Sequence, residues 1–291
     1  MSAREEALAP ARGAARERPA HERVSRLAHL AMAPLVLFFL FPWAWLLSTA
    51  LKQRGQIFTW PPVWIPSPIY LDNFAQAVQI IPFGRYMANT LEIALLVVVG
   101  RLLSCSAAAY ALSHVRWPGR DRVFLLVLAT MMLPFQVTMI PQYIIFHRLG
   151  WVNTILPLTV PAFLGDAFFV FLLRQFFLTI PHEMVEAAEI DGCSEIGTFL
   201  RVVLPLAQPA LATLVVLSFL HAYTDFLGPL LYLTDPELRT LSLGMQAYTA
   251  DQGSEWGPLM AAALLFTTPL LIVYLLTQRR FVQGIATTGL K

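Results

Sequence analysis

The chain is poor in charge. Only 13% of its 291 residues are Asp, Glu, Lys or Arg, whereas an ordinary soluble domain has about 25%, and its mean hydropathy is +0.62. A water-soluble globular body is thereby excluded, and a bilayer is the solvent that fits. Lysine is nearly absent: Lys52 and Lys291 are the only two, and neither follows glycine. The Gly-x-x-x-x-Gly-Lys-Ser/Thr loop that cradles nucleotide phosphates is therefore missing, which excludes an ATPase on this chain. The two cysteines, Cys105 and Cys193, form neither a metal-ligand spacing nor a disulfide framework. A net charge of +2 gives no case for a nucleic-acid partner. No internal repeat and no paired broken helices are found, which argues against a self-contained secondary transporter of small polar solutes, the main alternative function. An intramembrane enzyme would need converging Asp, Ser/His or His/Glu groups, and His147, His221 and the scattered acids lack that spacing.

What the chain has in quantity is apolar residues, 57% of the total. A hydrocarbon core about 30 Å thick needs about 20 apolar residues as helix. Six stretches qualify, roughly Ala28–Ala50, Tyr86–Ser113, Val123–Phe146, Thr154–Phe177, Ala207–Leu233 and Gly257–Thr277. Prolines within these runs suggest kinks that bundle neighbours can re-satisfy. Residues 1–26, rich in Ala, Arg, Glu and Pro, read as a disordered cytoplasmic tail with no cleavable signal. Residues 27–291 make one six-span domain.

Arginine sets the orientation. The tail arginines, Arg116, Arg120, Arg122, Arg174, Arg201, Arg279, Arg280 and Lys291 fall on one side. Lys52, Arg54, Arg85, Arg148 and Arg239 fall on the other. Both termini are expected in the cytoplasm. Lys52–Arg85 is then the largest external segment. Its Trp60–Pro66 stretch suits the membrane interface, and Tyr70–Ile81 has the apolar period of a short amphipathic helix.

Between the fourth and fifth runs lies Glu186-Ala187-Ala188-Glu189-Ile190-Asp191-Gly192, followed after nine residues by Val202-Val203-Leu204-Pro205. Pro181 fits a first helical position, with Glu183 complementing the dipole. Met184, Ala187, Ala188 and Asp191 share a face, and adjacent alanines leave backbone open to close docking. Gly192 suits the left-handed position that ends a helix, and Ser194 caps a second short helix through Leu200. The result is a helix–turn–helix knob, about residues 179–206, with a carboxylate edge of Glu183, Glu186 and Glu189. Pro205 starts the element that follows it.

Further motifs accompany this loop: Ala108-Ala109-Tyr110-Ala111-Leu112, Trp117-Pro118-Gly119-Arg120, Gln136-Val137-Thr138-Met139-Ile140-Pro141 and Leu149-Gly150-x-x-Asn153-Thr154. Then come Phe171-Leu172-Leu173-Arg174-Gln175-Phe176-Phe177, Gln278-x-x-Phe281-Val282-Gln283-Gly284 and Gly289-x-Lys291. With them the chain, from about residue 30 to 291, resembles the inner-membrane permeases of bacterial carbohydrate importers of the ATP-binding cassette class, the group containing the maltose and glycerol-3-phosphate permeases. The resemblance implies an all-α, N-in/C-in, six-span, type I importer (MetI-like) permease with a cytoplasmic coupling helix, in the bacterial inner membrane. It implies a second, related permease, two ATPase subunits and an extracytoplasmic solute-binding protein as partners. No cofactor is expected on this chain, since ATP and magnesium are bound by the ATPase.

Carried onto this sequence, Glu186 would be the coupling carboxylate, Ala187 and Ala188 the close-packing face, and Gly192 the turn. Asp191, Leu204 and Pro205 complete the motif, and the Gly284–Lys291 tail is a further ATPase contact. The chain departs from the family at Tyr223-Thr224-Asp225, where relatives often carry Trp-Asn-Asp. Sugar contacts therefore do not transfer. Glu92, Arg101, Asp166 and Asp225 lie within apolar runs, where each charge costs about 2.5–3.5 kcal/mol. Arg101 is too far from Glu92 for a pair on one helix, so its partner must come from another helix or subunit. Glu92, Asp225 and Tyr223 are the candidates for the translocation path.

Overall fold

The computed structural model describes residues 20–249 and 255–288. Among these every regular element is a helix. A long first helix, α1 (Ala20–Ala50), leads into the external segment, which carries the short α2 (Asp72–Ile80). The helix expected over Tyr70–Ile81 is thus present, with Asn73 and Ala77 buried. Asn73 Nδ2 donates to the carbonyls of Ala50 (2.9 Å) and Lys52 (2.8 Å), closing the end of α1. Because α1 begins at Ala20, the last part of the expected disordered tail is helical. Ala, His, Glu and Arg there extend an already nucleated helix at little cost. The rest of the tail, residues 1–19, lies outside the described residues.

The central element is α3 (Phe83–Ser113), 31 residues long and packed on most of its neighbours. Its apolar face meets α7 (Ala167–Phe177), α11 (Gln208–Tyr223) and the short α13 (Leu241–Gly244). Gly100 permits one close approach: a Cβ there would lie 2.8 Å from the Phe163 ring and 3.0 Å from the Ala162 backbone. The last helix, α14 (Trp256–Thr288), packs on α1, α2 and α11.

Four helical stretches are long and apolar enough to cross a bilayer alone: Ala31–Ala50, Phe83–Ser113, Leu156–Phe177 and Trp256–Gln278. The count reaches up to six when strongly bent pairs are joined. The run expected as one span over Val123–Phe146 is two helices, α4 (Arg120–Thr130) and α5 (Phe135–Arg148), meeting at 96°. Pro134 stands at the break in extended backbone, lacking an N–H to continue the ladder and disfavouring helix at the residue before it. The run at Thr154–Phe177 is broken as well. A short α6 (Leu156–Thr159) and a tight turn (Val160–Leu164) precede Gly165, whose φ is +99°. Asp166 then caps α7 by accepting from the Phe168 amide at 3.1 Å. The fifth run divides into α11 and α12 (Leu227–Tyr232), with Thr224–Phe226 unwound between them.

Candidate functional site

The loop singled out in the sequence folds as a knob of two short helices. Its first helix, α8 (His182–Ile190), is preceded by Pro181, which sits one residue earlier than expected, as an extended N-cap. Val185 and Ala188 turn inward and are buried, while Glu183, Met184, Glu186, Ala187, Glu189 and Ile190 are exposed. This divides the expected alanine face: Ala187 is open, and Ala188 packs against the chain's own core.

The helix ends as its glycine predicts. Gly192 has φ +81°, its amide donates to Glu189 O at 3.0 Å, and the Cys193 amide donates to Ala188 O at 2.9 Å. That crossed pair is the Schellman arrangement, which needs a residue free to enter the left-handed region. Ser194 caps α9 (Glu195–Thr198), its Oγ accepting from the Gly197 amide at 3.2 Å. A wide π-turn (Phe199–Val203) follows and leads into α10 (Leu204–Leu206). Pro205 explains the turn: it offers no N–H to Arg201, and its ring crowds that carbonyl, so the backbone widens. Pro205 therefore lies in the first turn of α10, within a helical path that continues from the π-turn. Val203 is fully buried and Leu204 packs inward, so this end of the motif shapes the knob while Pro205 stays exposed.

The knob's outer surface joins two kinds of group. Glu183, Glu186, Glu189 and Asp191 form an exposed acidic edge. Beside it Ile190 is 85% exposed and Ile196 72% exposed, with Met184 and Leu200 also open. Side chains this apolar and this accessible at a loop tip mark an interaction surface, for protein or for membrane.

The root of the knob rests on the end of α3. Tyr110 Oη donates to Glu195 Oε2 at 2.8 Å, and its ring packs on His114 (5.5 Å) and Phe199 (5.0 Å). His114 meets His182, the first residue of α8, edge-on at 6.2 Å. Burial holds the His114 imidazole below its ordinary pKa, with the charges of His182 and Arg120 adding to the shift and Glu195 opposing it. The carbonyls that close α3 are each met by a motif residue. Trp117 Nε1 donates to Ala111 O (3.0 Å), Arg174 Nε to Leu112 O (2.9 Å) and Arg120 Nη1 to Ser113 O (3.0 Å). Cations at a helix C-terminus satisfy both the orphan carbonyls and the dipole. Tyr110, His114, His182 and Glu195 were not singled out as site residues by the sequence reading. Tyr110 and Glu195 lie 85 positions apart, and no local pattern links them.

Of the acids at membrane depth, Asp166 pairs with Arg101 at 2.9 Å across two helices, and the Arg101 head lies over the Phe169 ring. The expectation of a partner from another helix is met within this chain. Asp225 accepts from the Gly228 amide at 3.1 Å, capping α12, and its carbonyl accepts from Ser242 Oγ. Tyr223 is wholly buried, stacked on Phe266 and donating to Phe266 O at 2.7 Å. It braces α11 against α14 and lines no open surface, because its hydroxyl finds its partner inside the chain. Glu92 is exposed on α3 along with Leu95, Val99 and Leu103, and among the described residues no cation pairs with it. Of the expected C-terminal contact, Gly284–Thr288 continues α14, and residues 289–291 lie outside the described residues.

The family described as "Binding-protein-dependent transport system inner membrane component" matches residues 100–287. The chain is 32% identical over 266 residues to the arabinooligosaccharides transport system permease protein AraQ of Halalkalibacterium halodurans, covering 91% of this chain and 93% of that relative. It is 34% identical to the sn-glycerol-3-phosphate transport system permease protein UgpE of Pectobacterium atrosepticum, over 89% of this chain and 94% of the relative. To the diacetylchitobiose uptake system permease protein DasC of Streptomyces coelicolor it is 32% identical, over 88% and 94%. Among solved structures, a chain of a bacterial ABC transporter involved in the import of the acidic polysaccharide alginate superposes with a TM-score of 0.78. That match has 23% identity and covers 90% of this chain and 98% of the other.

Proposed function

Since the chain belongs to the family of binding-protein-dependent transport inner membrane components, we propose that its knob is the coupling element through which separate ATPase subunits drive import of a carbohydrate. It is a non-catalytic permease subunit of the cytoplasmic membrane. ATP and magnesium are held by the partner. The acid-rimmed apolar tip of the knob, with Ile190 and Ile196 open beside Glu186 and Glu189, is the observation that carries the proposal. Glu186 and Ala187 meet the ATPase directly. Gly192, Asp191, Leu204 and Pro205 set the knob's shape, and Ala188 anchors it from inside.

Six spans with both termini in the cytoplasm follow if α4 with α5, and α11 with the bent segment Glu195–Leu206 before it, each count as one crossing. The charge distribution supports that topology. A second permease then covers the outward face of α3, where Glu92 stands among exposed aliphatic residues. A lone carboxylate facing lipid there would cost about 2.5–3.5 kcal/mol, so it faces water or the partner. Glu92 and the unwound segment at Asp225 line the path, and alternating access follows when ATP-driven closure of the ATPases moves the knobs and rotates the helices they join. The carried solute is a sugar, oligosaccharide or polyol phosphate, delivered by an extracytoplasmic binding protein. Gentle purification of tagged chain from its native membrane tests this. An ATPase and a second permease should co-purify, and transport in proteoliposomes should need ATP. Isolation of the chain alone, with solute uptake driven by an ion gradient, would instead establish a secondary transporter.

A further inference from the structure

Between the end of α3, the loop into α4 and the first residue of α8 lies a cleft of about 930 Å³. His114, Arg116, Trp117, Arg120, Arg122 and His182 stand in its wall. The one carboxylate in that wall, Asp121, is shared by Arg120 (3.7 Å) and Arg174 (3.4 Å). Arg116 and Arg122 are exposed, and among the described residues no carboxylate pairs with either. A concave site with surplus positive charge concentrates field lines on whatever anion enters it.

Asp121 and Glu183 supply the acid usual in a first turn, but α4 also carries Arg120 and Arg122 there, and α8 opens with His182. Both helices turn their N-terminal ends, with unsatisfied amides, to the same cleft, an arrangement that favours an anion. The cleft also opens where the surface turns apolar. On one side Val123, Leu125 and Leu126 are 40%, 66% and 67% exposed, and on the other Leu178 is 49% exposed. Together with Trp117 this is the pattern of a membrane–water boundary.

We infer that this cleft binds the phosphate of an anionic phospholipid headgroup, with Arg116 and Arg122 as its principal ligands and His182 beside it at the root of the knob. Free phosphate has the same anion chemistry, but the apolar rim matches the acyl end of a lipid. The inference rests on the membrane placement proposed above, which puts this end of the bundle at the cytoplasmic surface. Native mass spectrometry of the intact complex, loaded with equal phosphatidylglycerol and phosphatidylcholine, tests it. Wild type should retain phosphatidylglycerol preferentially, and millimolar inorganic phosphate should not displace it. Arg116→Gln/Arg122→Gln should weaken retention roughly 30-fold, while Arg54→Gln at the opposite end should not. Equal retention of both lipids, or unchanged retention in the double variant, overturns the site. Displacement by inorganic phosphate overturns the lipid assignment in favour of a soluble anion. Sidedness of the Arg116 loop, read by impermeant labelling in spheroplasts, distinguishes a wrong placement from a missing site.

Discussion

Replacing Gly192 separates the knob's shape from the stability of the membrane body. At φ +81° a side chain must enter the left-handed region, yet a Cβ built there meets nothing within 4 Å. Gly192→Ala therefore carries only the backbone cost, roughly 1–2 kcal/mol. That lowers the population of the native turn relative to an opened one by about 5- to 30-fold. Gly192→Pro is more severe. Its ring fixes φ on the negative side, and it removes the amide that donates to Glu189 O at 3.0 Å. The crossed hydrogen bonds cannot form, and α8 must leave α9 at a different angle. Gly192 itself lies outside the buried cluster of Leu173, Phe177 and Leu214, which reaches the knob through Val185, Phe199 and Val203, so insertion should persist while the packing of α8 changes. The assay is pull-down of the ATPase by tagged complex, paired with ATP hydrolysis and solute uptake in proteoliposomes. Gly192→Ala should dock with weakened coupling, and Gly192→Pro should lose both docking and coupled hydrolysis. Glu186→Arg, which reverses a charge on the exposed edge without altering the turn, should also lose docking. If Gly192→Pro complex assembles and hydrolyses ATP in step with transport, the coupling assignment is wrong.

Two further outcomes follow from polar contacts. Arg101→Leu leaves Asp166 without its cation in a largely buried setting and should cost about 3 kcal/mol, whereas Arg101→Leu/Asp166→Leu should recover most of it. Thermal unfolding of the detergent-solubilised complex checks this, and equal losses in the single and double variants would show that the pair is not coupled. His114 has a folded-state pKa below its unfolded value, so the neutral ring is the form the fold favours. Its contribution is present above the unfolded pKa of about 6.5 and lost as pH falls through the lower folded value. Amide exchange of residues 182–206 should accelerate in mild acid, and His114→Asn should flatten that dependence.

The knob was legible because each of its parts is a local rule. Ser194 caps, Gly192 turns and Pro205 begins the next short helix, each within a few residues of where it acts, whereas the π-turn before Pro205 was not read. The long α1, α3 and α14 followed from apolar length alone. The break at Pro134 was less legible: proline in a membrane helix can kink or end it, and the neighbours that re-satisfy its carbonyl decide which. Tyr223 was ambiguous for a related reason. A polar tip in an apolar run fits a path or a core equally, and only the position of Phe266 O showed that its hydrogen bond is spent inside.

By itself the sequence determined that this chain lives in a bilayer, lacks the phosphate loop through which an ATPase holds its nucleotide, and carries a knob built from short-range capping. These are properties of composition and of contacts within one or two turns, where the energetics depend on neighbours along the chain. Only the tertiary structure decided which alanine faces out, that Arg101 answers Asp166, that Tyr110 ties α3 to Glu195, and that Arg116, Arg122 and His182 share one cleft. Those pairings join residues from separate helices. Helix packing brings them together, and no spacing in the chain encodes it.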